Sequence, residues 1–248
     1  MTLPDASIHP IATGKAAETV RKHQNPQELV FYSGWLCPFN SRVWIALEER
    51  GIPYQYKEVN PYKKEEHFLE INRKGLVPAS LILLEFLEDA YPSYSPNLLP
   101  SDPYERAYER IWMDHIAREI VSAWMRLLMT QLTEPEKQDS ARRELYEAQK
   151  RLLNEVKGPY FVNEQFTLVD VAIAPWIVRD YVLAENRGYK WEDVGNGWVK
   201  YAEALSTRDS VRRTTSDRDK HQATYDRYLR GEAQSEAAKA IRAGKPLP

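Results

Sequence analysis

The chain has one cysteine, Cys37, and it stands directly before Pro38 and Phe39. Proline suits the first position of a helix, where its missing N–H would be unpaired in any case. Cys37 then takes the N-cap, facing free backbone N–H groups and the positive end of the helix dipole. Both favour thiolate over thiol, so this sulfur is expected to ionise more readily than that of a free cysteine and to be a nucleophile at neutral pH. The competing reading is a small, buried and inert side chain. Placement before a proline at a helix start favours the reactive one. A single cysteine excludes an intrachain disulfide framework, a multi-thiolate metal site and a CxxC dithiol mechanism within the chain.

Other chemistries find less support. The five histidines (His9, His23, His67, His115 and His221) have no ligand spacing, and neither HExxH, a Gly-rich phosphate loop nor GxSxG occurs, so no metal is expected. The 248 residues carry a net charge of −2, which argues against binding nucleic acid through its phosphates. Residues 200–248 hold 11 Lys and Arg against 7 Asp and Glu, an excess that reads as a solvated helical surface. The 43% hydrophobic content is enough for a sizeable core. No apolar run approaches the roughly 18 residues of a membrane span, and the first 27 residues lack the apolar core of a signal peptide. The expectation is a soluble protein of a reducing compartment, the cytoplasm.

The elements around Cys37 follow from local signals. Glu28–Ser33 is β-prone and ends at Gly34. Residues 38–50 have helical apolar spacing and stop at Gly51, and residues 54–59 alternate like a half-buried strand. This strand–helix–strand unit allows a parallel pair with a right-handed crossover. A short helix over 63–70 follows, then the turn Gly75-Leu76-Val77-Pro78 and a helix from Ser80 to Tyr91. Residues 92–103, with four prolines, read as a linker. Beyond it the pattern is helical: one long helix from Tyr104 to about Gln131, another from Glu134 to about Val156, and a capping-box-like start at Thr167–Asp170. Two or three shorter helices are expected over 190–230. The expected parts are a loosely held N-terminal extension (1–27), an α/β domain (28–91), a linker (92–103), an all-α domain (104–230) and a helical C-terminal extension (231–248).

Order and spacing together resemble the cytosolic glutathione transferases of the omega class, over about residues 28–230. The resemblance rests on Cys37-Pro38-Phe39 after a strand, on Gly75-Leu76-Val77-Pro78, on the helix from Ser80, on Thr167-Leu168-Val169-Asp170, and on Ala174-Pro175-Trp176 with Arg179. It implies a thioredoxin-like domain followed by an all-helical domain, with glutathione as co-substrate. By that resemblance Cys37 attacks a glutathione mixed disulfide, Val77 pairs its backbone with the cysteinyl part of glutathione, and Pro78 is a cis-proline. Lys64 matches a lysine that meets the glycine carboxylate, against the alternative of a solvated charge. Phe39 lies near the thiol or packs in the core. Ser80 matches the serine of a Glu-Ser pair at the γ-glutamyl end. Trp176, Arg179 and Tyr225 match acceptor-pocket positions, and Met113, Trp124 and Met125 are further candidates from the long helix. The resemblance also implies a homodimer.

One departure bears on function. The family pattern places a β-hairpin between Val-Pro and the next helix, which needs about ten residues. Here only Ala79 separates Pro78 from Ser80. Either the hairpin is deleted or a segment is missing at Ala79–Ser80. The leading function is a glutathione-dependent thiol transferase and dehydroascorbate reductase. Glutathionyl-quinone reduction, which usually follows Cys-Pro-Trp, is a second reading. A third is a binding or regulatory protein without turnover. Conjugation to electrophiles is disfavoured, although Tyr32 and Ser33 stand close to where other classes place Tyr or Ser.

Overall fold

The structure, a computed structural model, describes residues 9–60, 63–73 and 80–247, with the side chain of Ser80 left aside. They form two units: residues up to Leu98 with Arg208–His221, and Leu99–Thr207 with Gln222 onward.

The first unit is built on β1 (Val30–Ser33), α2 (Pro38–Arg50) and β2 (Gln55–Glu58), preceded by α1 (Gly14–Lys22). β1 and β2 pair in parallel, with Val30 opposite Gln55 and Ser33 opposite Glu58. They are the whole sheet among the described residues. Two strands alone are marginal, and among the described residues this pair is supported by side-chain packing. Trp44, Ile45 and Leu47 of α2 are buried with Phe31, Tyr54 and Tyr56, and the Trp44 indole N–H donates to the Tyr54 hydroxyl at 2.6 Å. α2 ends as expected: Gly51 adopts φ 63°, left-handed backbone that favours glycine. At the same end Arg50, 2% exposed, donates to the carbonyls of Leu87 (2.6 Å), Tyr91 (2.8 Å) and Tyr94 (2.9 Å) and pairs with Glu88. It thereby ties α4 (Ser80–Ala90) to α2 and satisfies carbonyls that a helix end leaves open. The short helix α3 spans Glu66–Ile71.

Two expectations change here. The N-terminal extension is held from His9 onward: α1 buries Ala16 and Thr19, and Thr19 donates its hydroxyl to the Arg213 carbonyl at 2.8 Å. Its partner, α12 (Asp209–Arg213), also packs on α2, where Ser210 donates to Glu49 at 2.6 Å and Arg208 pairs with the same carboxylate. Residues 208–221 therefore belong with the first unit and not with the helical domain that contains them in sequence. Local patterning carries no trace of a partner almost 200 residues away.

The second unit is helical: α5 (Pro103–His115), α6 (Val121–Met129), α7 (Pro135–Leu153), α8 (Leu168–Ile177), α9 (Asp180–Arg187), α10 (Trp191–Val194) and α11 (Asn196–Thr207). After α12 come α13 (Arg218–Leu229) and α14 (Glu236–Arg242), so four helices occupy the stretch where two or three were expected. The expected single long helix is interrupted by a π-helical turn over Ile116–Ile120, with no proline or glycine there to announce it. α8 is buried along its whole length and opens with a complete capping box. The Asp170 carboxylate accepts from the N–H groups of Thr167 (2.8 Å) and Phe161 (2.9 Å) and from the Tyr201 hydroxyl (2.8 Å).

Candidate functional site

The loop from β1 to α2 sets Cys37. Ser33, the last strand residue, is buried. Gly34 to Cys37 form a turn closed by the Cys37 N–H on the Gly34 carbonyl at 3.0 Å. Cys37 then has extended backbone (φ −80°, ψ 114°) and is the N-cap of α2, with Pro38 in the first turn. Its carbonyl accepts the Ser41 N–H at 3.1 Å and the Ser41 hydroxyl at 3.2 Å. The position is the one read from the sequence, and the side chain is half-buried. The sulfur makes no cap hydrogen bond to the helix N–H groups. The helix dipole and a second charge, Arg42, both favour the thiolate.

Arg42 went unremarked in the sequence, since one basic residue on a short amphipathic helix reads as surface. It is 1% exposed. Helical side chains lean toward the N-terminus of their helix, which carries this guanidinium back toward the cysteine and over Phe39, 5.7 Å from the ring centroid. Burial lowers its pKa to about 9, and its coulombic coupling to Cys37 opposes that fall. The coupling is mutual: a cation that is stabilised by the Cys37 charge stabilises that charge in return. Phe39 is half-buried between solvent and the Arg42 guanidinium.

A second unforeseen residue stands behind the loop. Glu58, at the end of β2, accepts the Trp35 N–H at 2.9 Å and the Tyr56 hydroxyl at 3.0 Å. Burial pushes its carboxyl up to about 7, although hydrogen bonds from Trp35, Tyr56 and Ala12 oppose the rise.

Of the other expected glutathione contacts, Lys64 lies half-exposed in the loop before α3. Val77, Pro78 and Ala79 fall outside the described residues, and with them the Ala79–Ser80 join. Ser80 is the first residue of α4. Tyr32 places its hydroxyl 3.2 Å from His67 Nε2. In the second unit, Trp176 and Arg179 are each 1% exposed and Tyr225 is 5% exposed. Arg179 donates to the Pro175 carbonyl at 2.6 Å. Tyr225 meets Trp124 edge-on, with ring centroids 5.8 Å apart. The Trp124 and Trp191 indoles both donate to Asp180 at 2.8 Å, whose carboxyl burial raises to about 7. Tyr225 is thus linked through Trp124 to the residue after Arg179. Met113 and Met125 are buried as well. Among the described residues, no group of three or more His, Cys, Asp or Glu is placed to hold a metal ion, and no helix is long and apolar enough to cross a membrane.

A half-buried thiol thus stands at a helix N-terminus, coupled electrostatically to a buried cation, a setting that favours the thiolate form of a cysteine. Comparison with known proteins gives the family. The glutathione S-transferase N-terminal domain model matches residues 36–89, and the C-terminal domain model matches 113–196. A probable glutathione S-transferase, parC, from Nicotiana tabacum is 30% identical over 207 residues, covering 78% of this chain and 92% of that relative. Among solved structures, glutathione transferase Omega 3C from Trametes versicolor is 56% identical, with a TM-score of 0.86, over 91% of this chain and 100% of that one. Rice GST1, solved in complex with glutathione, is 28% identical with a TM-score of 0.71, over 82% and 96%. The chain belongs to the glutathione S-transferase family, with a thioredoxin-like N-terminal domain and a helical C-terminal domain.

Proposed function

We propose that the protein is a glutathione-dependent thiol transferase and dehydroascorbate reductase of the omega type, and that Cys37 is its catalytic residue. The observation that carries this reading is Cys37 itself, at the N-cap of α2 with the buried Arg42 cation electrostatically coupled to it. The Cys37 thiolate attacks the glutathione sulfur of a mixed disulfide. The old S–S bond breaks, the acceptor leaves as a thiolate that takes a proton from water, and glutathione stays on Cys37. A second glutathione thiolate attacks that glutathionyl sulfur, releasing glutathione disulfide and restoring the Cys37 thiolate. Because the chain has one cysteine, the resolving thiol is supplied from solution. With dehydroascorbate, two glutathiones supply the two electrons and end as the disulfide.

On this reading Phe39, Lys64, Val77, Pro78 and Ser80 hold glutathione, and Trp176, Arg179 and Tyr225 serve the acceptor. The working form is a cytoplasmic homodimer. The test is steady-state reduction of the mixed disulfide of glutathione and 2-mercaptoethanol, and of dehydroascorbate, by wild type and Cys37→Ser. Turnover in the wild type and its loss in the variant is the expected outcome. Equal rates would remove Cys37 from the mechanism.

A second reading, binding or regulation without turnover, draws on the two-stranded sheet of the described residues. It predicts glutathionylation of Cys37 that free glutathione does not reverse.

A further inference from the structure

We propose that Glu58 is a positioning residue for the Cys37 loop, tying the turn that carries the cysteine to β2 and to the N-terminal segment. This rests on Cys37 being the reacting residue, but not on any particular acceptor.

The geometry converges on one carboxyl. Glu58 Oε1 takes the backbone N–H of Trp35, two residues before Cys37, and Oε2 takes the Tyr56 hydroxyl. The Ala12 N–H is a third donor. Trp35 is 2% exposed, and its indole N–H donates to the His9 carbonyl at 2.9 Å. One side chain thus joins the strand, the cysteine turn and the segment around Ala12. A small crevice lined by His9, Pro10, Leu36, Val59 and Asn60 lies beside it, and Glu58 is itself half-buried.

All three partners are donors. Ionised, Glu58 accepts from each with charge-assisted bonds, which are roughly twice as strong as neutral ones. Protonated, it must place its own proton against a donor. The Tyr56 hydroxyl can turn to accept it, whereas the two N–H groups cannot. The neutral carboxyl therefore holds Trp35 more weakly, and the turn that follows from Gly34 to Cys37 loosens. The titratable groups facing Glu58 are the Tyr56 phenol and, across the crevice, His9. His221 sits one layer back on the Trp35 ring, 5.3 Å between centroids. Burial carries the Glu58 carboxyl to about 7, so its change of state falls in the working pH range.

The experiment is the rate of Cys37 alkylation by iodoacetamide from pH 5 to 10 on the full chain, with the Trp35 amide followed by 15N–1H NMR. Wild type is expected to show two inflections, the thiol's own and one near 7, with the Trp35 amide moving on the latter. Glu58→Gln, which keeps shape but cannot ionise, is expected to lose the inflection near 7 and the amide movement, with the rate constant of the ionised thiol changed threefold or more. Should Glu58→Gln fail to fold, Tyr56→Phe removes a donor that lowers the Glu58 pKa, and the inflection must move to higher pH. A single inflection in wild type, one near 7 that survives Glu58→Gln, or one that stays in place in Tyr56→Phe overturns the proposal. None of these readouts needs glutathione turnover, so failure here is separable from failure of the transferase reading.

Discussion

Replacing Asp170 with alanine is expected to destabilise the second unit by about 3–5 kcal/mol at neutral pH. The carboxylate is fully buried and accepts the N–H groups of Thr167 and Phe161 and the Tyr201 hydroxyl, all within 2.9 Å. Its removal strands these three donors and breaks a longer bond from the Thr167 hydroxyl at 3.3 Å, each buried donor costing about 1–3 kcal/mol. Release of the carboxylate's own desolvation cost offsets part of that sum, which is why the net falls below it. Tyr201→Phe removes one bond only and is expected to cost about 1 kcal/mol, with non-additivity in the double variant because the two share a bond. Burial, opposed by the bonds from Thr167, Phe161 and Tyr201, pushes the Asp170 carboxyl up to about 6 from an ordinary 3.8. A raised folded value means the native state holds its proton more tightly than the unfolded chain. The contribution is therefore full below about 4 and is lost as pH rises through about 6. Urea unfolding followed by helical circular dichroism, at pH 5 and pH 7.5, reads both effects: the cost of Asp170→Ala should be larger at pH 5. A cost under about 1 kcal/mol, or one that grows with pH, would refute the reasoning. On the proposed reading, in which Trp176 and Arg179 serve the acceptor, the same variant should weaken acceptor turnover before Cys37 alkylation changes, because α8 carries Trp176 and leads into Arg179.

Further outcomes follow from the other buried charges. Arg42→Met is expected to slow alkylation of Cys37 at pH 7 about tenfold or more and Arg42→Lys much less, because only the charge is at issue; equal rates in all three proteins would remove the coupling. Arg50→Ala leaves three carbonyls and Glu88 without their cation and should cost about 3–5 kcal/mol in urea unfolding; a cost near zero would mean that α4 does not depend on it. Asp180, raised to about 7 by burial, should add to the loss of stability between about pH 4 and 7; Asp180→Asn should flatten that slope, and an unchanged slope would contradict it.

The strand–helix–strand unit, Cys37 at the N-cap, Gly51 at the stop and the Thr167–Asp170 box were legible because each is a signal of a few adjacent residues with its own backbone physics. Arg42 and Glu58 were not, since their meaning comes from burial, and burial depends on partners far along the chain. Glu58 in an alternating strand reads as an outward face until Trp35 and Ala12 are brought to it. The attachment of residues 208–221 to α1 and α2 was hidden for the same reason. The π-helical turn at Ile116–Ile120 has no sequence mark that we can identify.

The most direct test of the central claim is the intact mass of the protein after incubation with glutathione disulfide at neutral pH, and again after adding reduced glutathione. The account predicts one glutathione per wild-type chain, none on Cys37→Ser, and full release by reduced glutathione. An unmodified wild-type chain would contradict it.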